Sequence, residues 1–207
     1  EPYRRQRQMC IRDRYHVMKD YNLDRILIPA FRLFMTYNYE KVSTSLLEKE
    51  TGLTRGAIFY KLRTKEDIFK AVIDKFIIEL QATNVSVGNT LIDYIDRYLE
   101  RIGDRMAHLK NLEIDSVSGH RAYFNLIYQA LQFYPGFDRK IASIFQENLE
   151  KWKEVVQIAV DNGEIRPSCN VELIAQQFRY IYSGLSFERS IFCLLYTSPS
   201  PRDMRRS

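Results

Sequence analysis

Arg55, Ala57, Tyr60 and Lys61 fall within one short stretch, at spacings that turn them away from Ile58 and Leu62 on a helix. Two cations, a phenolic hydroxyl and one small side chain make a surface suited to base edges and phosphates in a DNA major groove. The residues before it supply the frame. Ser43 is an N-cap for a helix whose inward residues are Leu46 and Leu47, and Gly52 can take the positive φ that ends it. Leu53 plugs the corner, Thr54 caps the second helix, and Ile58 and Leu62 are expected to anchor that helix from behind. The outline is a helix-turn-helix DNA reader.

Other chemistry finds less support. His16, His108 and His120 are far apart, without a carboxylate or second histidine at ligand spacing, so neither a metal site nor catalysis is expected. Ser183-Gly184-Leu185-Ser186 follows no strand and makes no nucleophile elbow. No glycine-rich phosphate loop is present, and the chain is expected to be neither an enzyme nor a cofactor carrier. Cysteines 10, 169 and 193 are odd in number and form no disulfide framework, which fits a reducing cytoplasm. No run of about 18 apolar residues appears, so no membrane span is expected.

The 207 residues carry a formal charge of +5, but the surplus lies at the ends. Residues 1–14 hold five arginines against Glu1 and Asp13, residues 193–207 hold three against Asp203, and residues 15–192 are neutral. Global charge therefore says nothing about partners. Met-Cys-Ile-Arg-Asp-Arg at 9–14 and Cys-Leu-Leu-Tyr-Thr-Ser-Pro-Ser-Pro-Arg-Asp at 193–203 resemble translated sequencing-adapter read-through. Both ends, 1–14 and 193–207, are expected to be non-native tails, with Met18 as the start and the native C-terminus missing. The alternative is a basic arm at each end that tracks phosphate.

The elements that must position the reader are helical. Leu23, Ile26, Leu27, Ala30, Phe31 and Phe34 form a first stripe, which Pro29 should kink or delay to about Ile28. Thr64 and Asp67 resemble a capping box opening a helix striped by Ile68, Val72, Ile73, Phe76, Ile77 and Leu80. Leu91, Ile95, Tyr98, Ile102, Met106 and Leu109 mark another helix, and Asp115 to Gly119 a polar break. Residues 120–133 are an aromatic-rich helix ended by Pro135-Gly136. A long helix from Phe137 stops at Asn162-Gly163, and Asn170 caps a last one lined inward by Ile174, Phe178, Ile181 and Leu185. The fold class is all-α.

Thr51-Gly52-Leu53-Thr54-Arg55-Gly56-Ala57-Ile58-Phe59-Tyr60 followed by Lys65-Glu66-Asp67, with Gly163-Glu164-Ile165-Arg166-Pro167 near the C-terminus, resembles the TetR family of transcriptional regulators. The resemblance implies an N-terminal three-helix helix-turn-helix DNA-binding domain, here 18–66, and a larger helical ligand-binding and dimerisation domain, here 67–192. It implies a homodimer pairing through a four-helix bundle, a palindromic double-stranded DNA operator and an unknown small-molecule effector that releases a repressor. By matched position, Arg55, Ala57, Tyr60 and Lys61 lie on the recognition helix with Thr54 at its cap, and Gly56 allows close approach. Ser43, Thr44 and Ser45 open the preceding helix, where hydroxyls and N–H groups hold phosphate, and Lys65 contacts phosphate from the fourth helix.

Phe59 stands where the family commonly has Tyr, losing a hydroxyl, and Glu48 replaces a small residue with an acid. These departures motivate the alternative of a helical protein-interaction module that has lost DNA binding. Between Lys41 and Lys70, seven cations face four acids. For the effector pocket, the aromatic and thioether side chains Met106, Phe124, Tyr128, Phe133, Trp152, Phe178 and Tyr182 are expected to take an apolar ligand.

Overall fold

Ser43, Thr54, Thr64, Thr90 and Asn170 each cap a helix start through a side-chain oxygen in the computed structural model, which describes residues 23–82, 85–111 and 116–192. The tails 1–14 and 193–207, and the start expected at Met18, lie outside these residues. Among the described residues the regular structure is helical, without a strand. The fold is all-α, with an N-terminal helix-turn-helix followed by a larger helical region. The described chain divides into two compact units, 23–79 with 129–135, and 80–128 with 136–192.

In the first unit, α1 covers 23–36 and buries Ile26, Leu27, Ala30, Phe31 and Phe34. It runs through Pro29 without interruption, so the expected delayed start does not occur. The proline lacks an N–H, yet the apolar face on both sides of it is buried, and that packing outweighs one lost backbone bond. A 3-10 turn, Tyr39–Lys41, and the buried Val42 lead to α2, Thr44–Thr51. There Ser43 Oγ accepts from the Leu46 N–H at 3.2 Å. Gly52, at φ +65°, closes α2 and donates to Glu48 O at 3.0 Å, as the spacing predicts.

Helix α3, Arg55–Lys61, starts where Thr54 Oγ1 accepts from the Ala57 N–H at 3.4 Å. Helix α4, Lys65–Ile73, starts on a reciprocal Thr64–Asp67 capping box, both bonds at 3.0 Å. It continues through a π-helical turn, Asp74–Ile78, into Glu79–Gln81. The wider turn lets the consecutive residues Phe76 and Ile77 both be buried. Phe76 stacks on Phe31 at 4.3 Å between centroids, and Phe69 meets Phe34 edge-on at 4.9 Å. Asp24 and Lys75 form an ion pair between α1 and the π-helical turn. Because Ile68, Phe69, Val72 and Ile73 belong to this core, the packing unit runs past residue 66, the boundary expected for the DNA-binding domain.

The second unit contains α5, Leu91–Asn111, most of α6, Ser116–Phe133, and α7, Phe137–Asp161, and α8, Val171–Phe192. Its core gathers Val85, Tyr94, Leu149, Trp152, Val155, Val156 and Ala175. Asn170 Oδ1 caps α8 through the Leu173 N–H at 3.0 Å, as expected. Two expectations fail here. Residues 116–119, read as a polar break, are helical; one glycine costs a helix only about 1 kcal/mol, too little to stop it. Ile181 and Leu185, one heptad beyond Ile174 and Phe178 on the same stripe, are 65% and 48% exposed, so among the described residues the stripe meets the core only over its first half.

Candidate nucleic-acid interface

The turn between α2 and α3 is fixed by a residue that spacing alone did not single out. Thr51 is buried at the end of α2; its Oγ1 donates to Leu47 O at 2.7 Å and accepts from the Leu53 N–H at 3.2 Å. One hydroxyl thus ties the last turn of α2 to the corner residue and fixes where α3 departs. The available signal was a threonine directly before the capping glycine, two residues ahead of an apolar corner.

Behind α3, Ile58 is completely buried. Leu62 is not its helical partner: α3 ends at Lys61, and Leu62 takes extended backbone, φ −126° and ψ 102°, and is half-buried. The reason lies in the next helix, whose Thr64 cap needs extended backbone just before it. A single deep side chain therefore seats α3, helped by the half-buried Leu53.

On the opposite side Arg55, Gly56, Ala57 and Tyr60 are exposed, Tyr60 to 87%, with Lys61 half-exposed at the end. Among the described residues nothing lies within 4 Å of the position a Cβ would take on Gly56, which leaves room for close approach there. The Arg55 guanidinium lies 6.0 Å from the centroid of the half-buried Phe59 ring. Phe59 lacks the phosphate-binding hydroxyl, but its ring gives Arg55 a cation–π support worth about 0.5–1 kcal/mol at an exposed site. Thr54, Ser43 and Ser45 are exposed and Thr44 is half-buried. Ser43 and Thr54 spend their oxygens as acceptors in the caps and keep their hydroxyl protons to donate. Glu48, the acid expected near DNA, is half-buried on α2, and its carbonyl receives Gly52.

Lys65 is placed differently from a free surface cation. Its Nζ donates to Tyr39 O at 3.0 Å and lies 4.3 Å from the centroid of the Tyr39 ring. Burial lowers its pKa, and Glu40 nearby acts in the opposite direction. The Tyr39 phenol is raised by burial and by Glu66, with Lys70 opposing. Tyr39 and its neighbour Gln129 were missed, since a partner 90 residues away leaves no local pattern in the chain.

The residues expected to line a ligand pocket do not gather at one place. Trp152, Phe178 and Tyr182 do come together: Phe178 stacks on Trp152 at 4.9 Å, and Tyr182 meets Tyr98 edge-on at 5.9 Å, itself 5.2 Å from Trp152. The Trp152 Nε1 hydrogen is buried and has no acceptor among the described residues. Phe124 instead meets Tyr123 and Phe187. Tyr128 is exposed, and Phe133 stacks on Tyr39 at 4.6 Å in the first unit, because the end of α6 packs there. The side chain of Met106 lies outside the described residues.

Among the described residues no group of three or more His, Cys, Asp or Glu is placed to hold a metal ion, and no helix is long and apolar enough to cross a membrane.

Comparison with known proteins sets this geometry in context. Residues 26–72 match the profile described as bacterial regulatory proteins, tetR family. The HTH-type transcriptional repressor Rv1474c of Mycobacterium tuberculosis is 42% identical over 48 residues, 23% of this chain and 26% of that protein. The match thus spans 26% of the relative's length. A solved structure of a HlyIIR mutant protein, carrying a linker with two thrombin sites, aligns over 87% of this chain and 92% of that one, at TM-score 0.54 and 19% identity. At that identity the likeness concerns the fold alone.

Proposed function

From the match of residues 26–72 to the tetR family of bacterial regulatory proteins, we propose that the chain is a homodimeric transcriptional repressor of the cytoplasm, released from a palindromic operator by a small molecule. The observation that carries the reading is the face of α3: Arg55, Ala57 and Tyr60 are exposed while Ile58 alone is completely buried behind them. Arg55, Tyr60 and Lys61 would meet base edges and phosphates, Gly56 and Ala57 would admit the backbone closely, and Ser43, Thr44, Ser45, Thr54 and Lys65 would hold the flanking phosphates. In a two-fold dimer the two α3 helices would enter successive major grooves about 34–36 Å apart, or a wider spacing of the same kind.

For dimerisation we look to α8. Leu173, Tyr180, Ile181 and Leu185 are exposed on it, and covering each of the three aliphatic side chains is worth about 1.5–3 kcal/mol. For the effector, the cluster around Trp152 offers ring faces and one buried donor without a partner, which suits an apolar molecule carrying a single acceptor. The working division is then DNA reading by 18–66 and effector binding and pairing by 67–192. Selection from randomised duplex DNA tests the proposal: enrichment of a palindrome supports it, and no enrichment points to a helical interaction module instead. An inducer must lower operator affinity and not merely raise the melting temperature.

A further inference from the structure

A buried carboxamide on α6 is linked through the Tyr39 backbone to Lys65. Gln129, on the part of α6 that belongs to the first unit, is 3% exposed. Its Oε1 accepts from the Tyr39 N–H at 2.6 Å, and its Nε2 donates to Phe34 O at 3.5 Å. On the other side of Tyr39, the carbonyl oxygen accepts from the Lys65 ammonium at 3.0 Å and from the Val42 N–H at 3.3 Å. The ring of Tyr39 is held as firmly, stacked on Phe133 at 4.6 Å and edge-on to Phe69 at 4.9 Å, with the Lys65 ammonium 4.3 Å from its centroid.

Tyr39 is therefore a relay between Gln129 and Lys65. An ammonium on a four-carbon stem is a mobile charge when free. Here one of its three hydrogens is spent on a fixed carbonyl, and the other two remain for a phosphate oxygen. We propose that Gln129 is a positioning residue for DNA binding: by holding the Tyr39 backbone it keeps Lys65 aimed at the phosphate backbone, although Gln129 itself never meets DNA. Asn38 makes no side-chain cap on this turn, so among the described residues Gln129 is the side chain that takes up the Tyr39 N–H. This inference rests on the DNA-binding reading above.

The test uses the full chain and a fluorescein-labelled duplex enriched from randomised DNA, with affinity measured by anisotropy across a salt series. Gln129→Leu, which keeps the volume but removes both hydrogen-bonding groups, should weaken binding about fivefold, within the range of one ordinary hydrogen bond. It should also reduce the slope of log affinity against log salt by about 0.9, the value of one phosphate contact. In a Lys65→Ala background Gln129→Leu should have no further effect on binding. If Gln129→Leu does not fold, Gln129→Asn, one methylene too short to reach Tyr39, serves in its place.

An unchanged salt slope, or an equal loss of affinity with and without Lys65, would mean that Gln129 only stabilises the fold, and would overturn the inference while leaving DNA binding intact. Failure of the unaltered chain to retain any duplex would sink both.

Discussion

Helices α3 and α8 each pack part of their surface and leave another part uncovered among the described residues, and the uncovered parts differ in chemistry. On α3 the open side carries Arg55, Ala57, Tyr60 and Lys61; on α8 it carries Leu173, Tyr180, Ile181 and Leu185. Cations in water are well solvated, so the α3 face costs little while empty and gains only when a polyanion releases its counterions. Aliphatic side chains in water are costly at once, so the α8 face favours a partner that stays. One face suits a reversible encounter and the other a lasting one, which is how a dimer that finds and leaves DNA must be built.

The sharpest way to break this contrast is to put a charge where α8 is apolar. Ile181→Asp should raise the dimer dissociation constant about a thousandfold, since a buried unpaired carboxylate costs roughly 3–5 kcal/mol. Sedimentation equilibrium would show it; an unchanged dimer would mean that α8 pairs elsewhere. On α3 the matching change is Arg55→Ala with Lys61→Ala. It should cost about 3 kcal/mol in operator affinity while leaving the melting temperature within a degree or two. Retained affinity would assign the face to some other partner.

Smaller effects concern the scaffolds behind each face. In the second unit, burial, with Tyr98 and Glu154 adding to it, pushes the Tyr94 phenol up from 10.0 to about 12. The neutral form is favoured by folding, so this contribution is complete below about pH 10 and is lost as pH rises from about 10 through 12. Two units correspond to about 2–3 kcal/mol. Chemical denaturation should show the unaltered chain losing that much more stability than Tyr94→Phe over the window; parallel curves would contradict it. In the first unit, Thr51→Val should cost about 1–2 kcal/mol by leaving the Leu53 N–H without its acceptor. If α3 is aimed by that hydroxyl, operator affinity should fall further than the stability loss explains.

The two faces were not equally legible in the chain. The frame of α3 is local: caps at Ser43, Thr54 and Thr64 and a left-handed Gly52 all act within four residues, and each is found where its type and spacing placed it. Even there Leu62 is only half-buried and lies just past α3, because helical periodicity was read past a point where the Thr64 cap stretches the backbone. On α8 the expected stripe is packed only over its first half. Ile174, Phe178, Ile181 and Leu185 fit an inward stripe as well as any set, and apolar character alone does not say whether it meets its own chain or another. Gln129, Tyr39 and Phe133 were invisible for a different reason, since their partnership depends on α6 returning to the first unit. The expected pocket lost Phe133 to that return and Tyr128 to the surface, leaving the rings around Trp152.

Scanning each base pair of a selected operator against the unaltered chain and Arg55→Ala tests the role of α3 most directly. The unaltered chain should lose about 1–3 kcal/mol at one base pair in each half-site, and Arg55→Ala should lose that discrimination while other positions keep theirs. A uniform weakening at every position, or full discrimination without Arg55, would show that this face of α3 does not read the bases through Arg55.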